Sequence, residues 1–392
     1  MPGYRLIYHT IRIIIKGEHA FYQHSGGNAV IIAARSLSHY VAQIFEKRGV
    51  SAEESERIGR RLVNANLTGH DSHGVIRVPR YVNWLQDGTL VPGQNVSVVS
   101  DNGVIAVLDG HNGFGQSVGE QAVQIGIDKA LQNGVGIIAL RNAGHLGRIG
   151  DWAEMAVDAG LISLHFVNVS GSLLVAPFGG TERRMSTNPV TIGVPRDDAP
   201  PLILDFATSL VAEGKVLVAA KGGKALPDNA LVGPDGEVTG DPKALYGEGD
   251  AVKSYDNRVG EGAIRAMGEH KGSGLALMCE ILAGALTGGG CAGPDKPRIQ
   301  NGMLSIYMSI EQFGSKDAFA DEMRQYLEFF TSAKPVDPAN PVLMPGEPEQ
   351  KRREERGANG IELPDETWAS IVETAHEAGL GEDDLNTSLA IV

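Results

Sequence analysis

The sequence predicts an α/β protein with an added helical part, on three observations. From about Val96 onward, strand-like and helix-like segments alternate, which is typical of a sheet covered by helices. Before that point, apolar residues recur at the spacing of amphipathic helices. The chain has 392 residues, 42% hydrophobic and 21% charged, enough to bury a large core in two lobes or in one large domain with an elaboration.

The predicted helical part follows residues 1–34, which we interpret as a poorly ordered N-terminal extension or a misplaced translation start. A first helix ends near Gly49 and has one apolar face, formed by Leu37, Val41, Ile44 and Phe45. Ser51 and Glu54 then have the spacing of a capping box. The box predicts a second helix, whose buried face contains Ile58, Leu62 and Ala65.

Residues 69–81 form the densest group of proton-transfer and anion-binding side chains in the chain. The His73 imidazole has an ordinary pKa of about 6.5, and it can exchange a proton near neutral pH. The Arg77 guanidinium can bind a carboxylate through two parallel hydrogen bonds. If residues 72–78 are helical, His73 and Arg77 share one face, which suits a 2-oxo or 2-hydroxy acid. The alternative is that His73 is a structural histidine and Arg77 a surface cation.

In the α/β part, the predicted strands are residues 104–108, 135–140, 161–167 and 202–207. The predicted helices between them are residues 116–132 and 151–159. The first strand-to-helix turn contains Gly113, Gly115 and Gly119 and resembles a dinucleotide-binding fingerprint. Its spacing differs from that fingerprint, and no acidic residue follows at the required distance. The turn is therefore weak evidence for a Rossmann domain.

Three successive loops, residues 110–115, 141–148 and 168–172, are predicted to leave the ends of these strands. Ligands bind at that edge of open α/β sheets, so we expect the loops to converge on one crevice. Asp205 lies near the end of the last strand, where a carboxylate can hold a ribose hydroxyl pair. Taken alone, such a carboxylate more often caps a helix, which would start near Thr208.

The remainder of the chain has fewer motifs. Residues 221–257 are loop-rich, with little periodicity. Lys271 lies at the glycine-flanked start of a predicted helix, residues 275–286, where its charge and the free N–H groups favour an anion. The mixed charges of residues 351–356 predict a solvated helix, and residues 363–378 predict a final one.

Composition disfavours several classes of protein. The formal net charge of −14 argues against nucleic acid and against an anionic membrane surface as partners. Cys279 and Cys291 are the only 2 cysteines and provide neither a zinc cluster nor a disulfide framework, so we expect no metal site and a reducing cytoplasm. No apolar run approaches the roughly 20 residues of a membrane span.

Seven segments, in this order along the chain, carry a resemblance to a known family. They are His70-Asp71-Ser72-His73-Gly74 with Arg77, residues 142–147 around His145, Pro177-Phe178-Gly179-Gly180, Thr187-Asn188-Pro189, Asp205-Phe206-Ala207-Thr208, His270-Lys271-Gly272 and Pro345-Gly346-Glu347. Together they resemble the malate/L-lactate dehydrogenase family of the second, non-Rossmann type, from about Leu37 to the C-terminus. Residues 147–154 and 269–282 look most like its bacterial hydroxycarboxylate dehydrogenases.

The resemblance implies a fold and a division into domains. The expected fold is a non-Rossmann NAD(P)-binding domain with a mixed sheet, plus a helical domain built from both ends of the chain. The fingerprint at Gly113 is therefore discounted. The expected parts are the extension (1–34), the first helical part with the His73 and Arg77 motif (35–98), the α/β cofactor-binding domain (99–312) and the C-terminal helical part (313–392).

The resemblance also implies which residues form the site. The implied catalytic residues are Ser72, His73, Arg77 and His145. The implied contacts to NAD or NADP are Ser170, Thr187, Asn188, Asp205, Phe206, Ala207, Lys271, Gly346, Glu347 and Pro348. Either histidine could hold the proton. His73 is favoured because Arg77 would fix the substrate carboxylate one helical turn away.

The function that follows is hydride transfer between NAD or NADP and a small 2-oxo or 2-hydroxy acid, with a histidine as acid or base and Arg77 as the carboxylate clamp. One alternative is a reductase of cyclic imino acids such as piperideine- or pyrroline-2-carboxylate, which would use the same groups. Another is a dinucleotide-binding protein without turnover. A metal-dependent hydrolase is disfavoured because no ligand set accompanies His70 and His73. We expect a homodimer.

Overall fold

The computed structural model describes residues 22–25, 29–197, 199–220, 224–248, 258–296 and 298–389. The first part of the chain contains β1 (Tyr22–Ser25), β2 (Ala29–Ile32), α1 (Ala34–Lys47), α2 (Ala52–Leu67) and α3 (Val78–Gln86). The middle contains β3 (Ser97–Asn102), β4 (Ile105–Asp109), α4 (Gly115–Asn133), β5 (Val135–Ala143), α5 (Gly150–Asp158), β6 (Leu161–Ser170), β7 (Val190–Val194), β8 (Leu202–Phe206) and α6 (Glu213–Ala220).

The remaining elements form a small lobe, the end of the sheet and the last helices. They are β9 (Leu231–Val232), β10 (Val238–Thr239), α7 (Lys243–Tyr246), β11 (Ala263–Ile264), α8 (His270–Cys279), β12 (Gln300–Ser309), α9 (Lys316–Thr331), α10 (Glu347–Asn359), β13 (Ile361–Pro364), α11 (Asp365–Glu377) and α12 (Glu382–Leu389).

A seven-stranded sheet forms the centre of the molecule, in the order β3-β4-β5-β12-β6-β7-β8. Only β4 and β5 pair in parallel, and every other neighbouring pair is antiparallel. Helices α4 and α5 bury apolar side chains against this sheet, with Trp152 fully buried between them. The mixed sheet confirms the predicted α/β class and differs from the all-parallel sheet of a Rossmann domain.

The helical lobe is built from both ends of the chain, as expected. Strand β13 pairs with β2, with Ile361 opposite Ile32. Trp368 of α11 packs on Tyr40 of α1, with 5.7 Å between ring centroids. Residues from both ends thus share one apolar core. The proposed boundaries at residues 34, 98 and 312 stay a prediction.

The capping box at the start of α2 is half formed. The Ser51 side chain accepts from the Glu54 backbone N–H at 3.3 Å, as predicted. The Glu54 carboxylate does not accept from the Ser51 backbone N–H, as it would in a complete capping box. It accepts from the Gly93 backbone N–H at 2.7 Å. The predicted apolar faces of α1 and α2 are buried throughout.

Several predicted boundaries were wrong because strands are longer than their apolar runs. Strand β5 extends to Ala143 and β6 to Ser170, so the first residues of two predicted loops belong to the sheet. No helix starts near Thr208, whose backbone N–H donates to the Thr187 carbonyl at 2.9 Å. The helix that contains Lys271 starts at His270 and continues as a π-helical segment, Glu280–Ala285.

The loop-rich region forms, in its described part, a small lobe with the strand order β10-β9-β11. Helix α7 and the apolar side chains around Leu231, Leu245 and Ile264 give this lobe its own core. Part of the predicted loop region lies outside the described residues, as do most of residues 1–34. In the described part of the chain, no helix is long and apolar enough to cross a membrane.

Protonation of His165 in β6 should make the stability of the fold depend on pH. Its ring is fully buried between the hydroxyls of Ser163 (3.1 Å) and Ser305 (2.9 Å). Burial lowers the pKa of His165 from 6.5 to about 3, so the folded state binds fewer protons than the unfolded state between these values. Its contribution to stability is complete above pH 6.5 and is lost as the pH falls toward 3.

We therefore expect the free energy of unfolding to fall less in His165→Gln than in the wild type when the pH is lowered from 7.5 to 5. Urea denaturation at the two pH values should show a difference of about 2 kcal/mol between the two losses. The control is His376→Gln, which changes an exposed histidine of α11. Equal losses in the wild type and in His165→Gln would contradict the assignment of the acid sensitivity to this ring.

Candidate active site

A cleft of about 780 Å³ lies where the helical lobe, the edge of the sheet and the small lobe meet. Its walls include Ser72, His73, Arg77 and His145, which the sequence placed in the catalytic group. Thus the structure brings these four residues together although His145 lies far from the others in the sequence. The loop after β5 carries His145, and the turns before α3 carry the other three.

Two 3-10 turns, Asp71–His73 and Val75–Arg77, hold the first group in place of the predicted single helix. The Asn66 side chain braces both turns, since it donates to the Asp71 carboxylate (2.7 Å) and accepts from the Val75 backbone N–H (2.8 Å). A Cβ at Gly74 would lie 2.2 Å from the Asn66 Oδ1, so the brace requires glycine there. The prediction that His73 and Arg77 share one face of a single helix was wrong, but both side chains still line the cleft.

The two site histidines stack face to face. The ring centroids of His73 and His145 are 5.4 Å apart and their planes are inclined by 11°. The His73 Nδ1 lies 3.0 Å from the Ser72 hydroxyl. Each ring therefore has one nitrogen engaged by a neighbouring hydroxyl, because the His145 Nδ1 lies 2.6 Å from the Tyr81 hydroxyl.

Tyr81 and Gln116 hold the ring of His145 in place. The Gln116 amide donates to the Tyr81 oxygen at 3.1 Å and to the His145 carbonyl at 3.4 Å, and the second bond fixes the amide orientation. The Tyr81 oxygen thus accepts from Gln116 and also shares a hydrogen bond with His145 Nδ1. The sequence assigned no role to Tyr81 or Gln116, since the contact joins positions far apart in the chain.

Both imidazoles are neutral at neutral pH. Burial first, and then the charge of Arg77, lower the pKa of His73 to about 3. The same two causes, in the same order, lower the pKa of His145 well below its ordinary value. Burial also raises the pKa of Tyr81 to about 12, so its hydroxyl keeps its proton. A neutral imidazole can donate one hydrogen bond and accept one, as a proton carrier must.

Arg77 is oriented by its own turn. Its Nε donates to the Ser72 carbonyl at 2.6 Å, which fixes the plane of the guanidinium beside the histidines. Burial, and then the neighbouring Arg80, lower the pKa of Arg77, but an arginine stays charged at neutral pH. The site therefore has a fixed cation next to two neutral rings.

A buried ionic group centred on Arg148 supports the floor of the cleft. The side chain of Arg148 is 1% exposed, and its Nη1 donates to Asp151 (2.9 Å) and Glu154 (2.8 Å). Burial alone would lower the pKa of Arg148, but the nearby carboxylates of Glu154, Asp151 and Asp205 raise it. Glu154 also accepts from Arg353 of α10 at 2.7 Å. The group joins the sheet to the C-terminal helices.

The predicted cofactor residues divide into two sets. Five line the cleft: Thr187, Asp205, Phe206, Ala207 and Pro348. Both oxygens of Asp205 already accept hydrogen bonds, from the Gly150 backbone N–H (2.8 Å) and the Thr191 hydroxyl (2.7 Å). Each oxygen keeps a second lone pair, so a ribose contact at Asp205 stays a prediction.

The other five predicted cofactor residues, Ser170, Asn188, Lys271, Gly346 and Glu347, do not line the cleft. Ser170 and Asn188 are buried, and Asn188 donates to the buried Glu280 at 2.9 Å. Glu347 accepts from the Met344 backbone N–H at 2.8 Å and so closes the turn before α10. Lys271 is exposed on α8. Among the described residues, no group of three or more His, Cys, Asp or Glu side chains could hold a metal ion.

Comparison with known proteins relates this chain and its fold to one family. Residues 32–372 match the family model of malate/L-lactate dehydrogenase. Hydroxycarboxylate dehydrogenase B of Escherichia coli K12 is 38% identical over 359 residues, which cover 90% of this chain and 95% of that protein.

Solved structures show the same relationship. Malate dehydrogenase from Pyrococcus horikoshii superposes with a TM-score of 0.78 and 28% identity, covering 92% of this chain and 99% of that one. Sulfolactate dehydrogenase from Methanocaldococcus jannaschii superposes with a TM-score of 0.77 and 30% identity, covering 90% and 99%.

Proposed function

Because the chain belongs to the malate/L-lactate dehydrogenase family, we propose that it is an oxidoreductase that interconverts 2-oxo acids and 2-hydroxy acids with NAD or NADP. The observation that carries the proposal is the meeting of two neutral, stacked imidazoles and a fixed guanidinium in one cleft. A 2-oxo acid offers a carboxylate and an adjacent carbonyl, which match these groups.

In the proposed mechanism, Arg77 binds the substrate carboxylate and so places the adjacent carbonyl beside the histidines. A protonated His145 donates its proton to the carbonyl oxygen during reduction and is left as the neutral imidazole, which takes the proton back during oxidation. This assignment departs from the preference for His73 given by the sequence, and the support for it is the Gln116–Tyr81–His145 chain, which orients the His145 ring. His73, held by Ser72, orients the His145 ring by stacking.

The cleft fits a nicotinamide dinucleotide. Seven Lys and Arg side chains and three Asp and Glu side chains line its described part, although the whole chain has a net charge of −14, so the cleft favours an anionic ligand. We assign its binding to the strand end at Asp205-Phe206-Ala207, to Thr187 and to Pro348, with the more distant Ser170, Asn188, Lys271, Gly346 and Glu347 retained from the family resemblance. When bound, the nicotinamide would supply or accept the hydride.

A substrate panel tests the proposal. The full-length protein is given NADH or NADPH with several 2-oxo acids and one cyclic imino acid, and the loss of nicotinamide absorbance is followed. Turnover of 2-oxo acids is the expected result, and the rates with the two cofactors decide between NAD and NADP. Turnover of the imine alone would assign the site to imino-acid reduction. Cofactor binding without turnover of any substrate would favour a protein that only binds the dinucleotide.

Tyr81→Phe tests the chain that orients His145. Loss of the hydroxyl leaves His145 Nδ1 without its hydrogen-bond partner, and a buried hydrogen bond of this kind is worth about 1 to 3 kcal/mol. We expect kcat to fall about tenfold or more, with KM for the acid unchanged. The control is Tyr307→Phe, the same change at a tyrosine buried in the sheet core. An unchanged kcat in Tyr81→Phe would contradict the proposed role of the chain.

We also propose a homodimer. Helix α9 contains no buried residue, and the aromatic side chains on and beside it are exposed: Phe313 (77%), Tyr326 (63%) and Phe329 (74%). An exposed apolar face of this kind is typical of a surface that a partner covers. Sedimentation velocity of the wild type should give a dimer, and Phe329→Glu should shift it toward the monomer. A wild-type monomer would contradict the proposal.

A further inference from the structure

Two residues of the cleft wall, Thr187 and Pro189, are joined by a residue that does not line the cleft. That residue, Asn188, is fully buried. Its side-chain amide donates to the Ala276 carbonyl of α8 at 3.2 Å and to the Glu280 carboxylate at 2.9 Å. Asn188 therefore anchors this part of the wall to α8 and to the π-helical segment that follows α8.

The backbone of Asn188 adopts an unfavourable conformation. Its φ is +30°, in the left-handed region that residues other than glycine rarely adopt. Asn188 also precedes Pro189, and a proline favours an extended conformation in the residue before it. A conformation of this kind persists only where the surrounding contacts hold it. The shape of the wall thus depends on the contacts that Asn188 makes behind it.

Thr208 and Glu280 supply contacts of two kinds. The Thr208 hydroxyl donates to the backbone carbonyls of Thr187 and Asn188, both at 3.0 Å. Thr208 therefore holds the backbone of this turn. Glu280 holds the Asn188 side chain, which lies on the side of the turn away from the cleft.

Glu280 is a buried carboxylate with three N–H donors and is 5% exposed. Its Oε1 accepts from the Asn188 amide, and its Oε2 accepts from the Asn168 amide at 3.0 Å and from the Ala292 backbone N–H at 2.9 Å. A carboxamide at this position has only one oxygen, so its NH2 group would face one of these donors. The contact to Asn188 therefore requires a carboxylate.

We infer that Glu280 is a positioning residue for the dinucleotide: from behind the cleft wall it holds Asn188 in its strained conformation, and so places Thr187 and Pro189 for cofactor binding. Glu280 does not line the cleft, so its effect on the ligand passes through Asn188. The inference rests on the proposed function and adds a residue to its binding site.

Cofactor binding to the full-length protein tests this without turnover. The dissociation constants of NADH and NADPH are measured from nicotinamide fluorescence in the absence of a 2-oxo acid. Glu280→Gln should raise the dissociation constant of the preferred cofactor, and its KM, about tenfold or more, because a buried hydrogen bond is lost. The kcat at saturating cofactor should change less than about twofold. Glu280→Asp keeps the carboxylate one methylene shorter, and it should raise the dissociation constant about threefold.

Asn188→Ala tests whether Glu280 acts through this contact. The change removes the side chain that Glu280 holds and should weaken cofactor binding about tenfold or more. Adding Glu280→Gln to Asn188→Ala should then have little further effect, since both changes remove the same contact. Losses that add in the double variant would show that Glu280 acts by another route and would overturn the inference.

Glu54→Gln is the matched control, since Glu54 is a carboxylate of α2, 4% exposed, that accepts from a backbone N–H and lies outside the cleft. Its affinity for the cofactor should match that of the wild type. Unchanged affinity in Glu280→Gln, with circular dichroism showing a folded protein, would overturn the inference while the proposed function stands. If Glu280→Gln does not fold, unchanged affinity in Glu280→Asp would overturn it instead. A wild type that binds neither NADH nor NADPH would overturn the proposed function as well.

Discussion

His145→Gln should lower kcat by about a hundredfold to ten-thousandfold, because it removes the group that we propose exchanges a proton with the substrate oxygen. The dissociation constant of NADH or NADPH should stay within twofold of the wild type. Stopped-flow reduction of a 2-oxo acid by enzyme saturated with cofactor measures the effect on the chemical step alone.

The matched variants are His73→Gln in the site and His376→Gln on the exposed face of α11. His73→Gln should also lower kcat, but less than His145→Gln, since the stacked ring would act through its neighbour. A larger loss in His73→Gln would move the proton transfer to His73. His376→Gln should match the wild type.

Arg77→Gln should raise KM for a 2-oxo acid about 30-fold or more, since removing one partner of a desolvated charge pair costs about 2 to 5 kcal/mol. The affinity for the dinucleotide should not change. Arg77→Lys keeps the charge but loses the planar pair of donors, so it should recover only part of the affinity. An unchanged KM in Arg77→Gln would contradict the carboxylate clamp. Arg60→Gln, at an exposed arginine of α2, serves as the control for charge removal.

The sequence predicted best those features that depend on local spacing. The apolar faces of α1 and α2 repeat at helical intervals, and the structure buries them as expected. The motif around His73 also faces the cleft, although it does so through two 3-10 turns. Gly74 and the Asn66 side chain produce that geometry together. Asn66 lies eight positions before Gly74, so local spacing does not reveal the contact.

Features that depend on distant contacts could not be predicted from the sequence. Consecutive residues 301–305 of strand β12 are all buried, so both faces of the strand are covered, it has no alternating pattern, and no strand was predicted there. The Gln116–Tyr81–His145 chain likewise joins three separate elements. Arg258 directly follows the stretch with little periodicity, and only the fold brings it to the cleft.

The place of β12 in the sheet has a consequence for how the protein is made. Leu140 of β5 pairs with Met303 of β12, and β12 also lies against the full length of β6. While the ribosome is still adding residues before position 300, β5 and β6 both lack their shared neighbour and present open hydrogen-bonding edges. Such distant pairing makes folding slow and the nascent chain prone to aggregation. A truncated chain that stops before β12 should therefore accumulate in inclusion bodies or be degraded during synthesis.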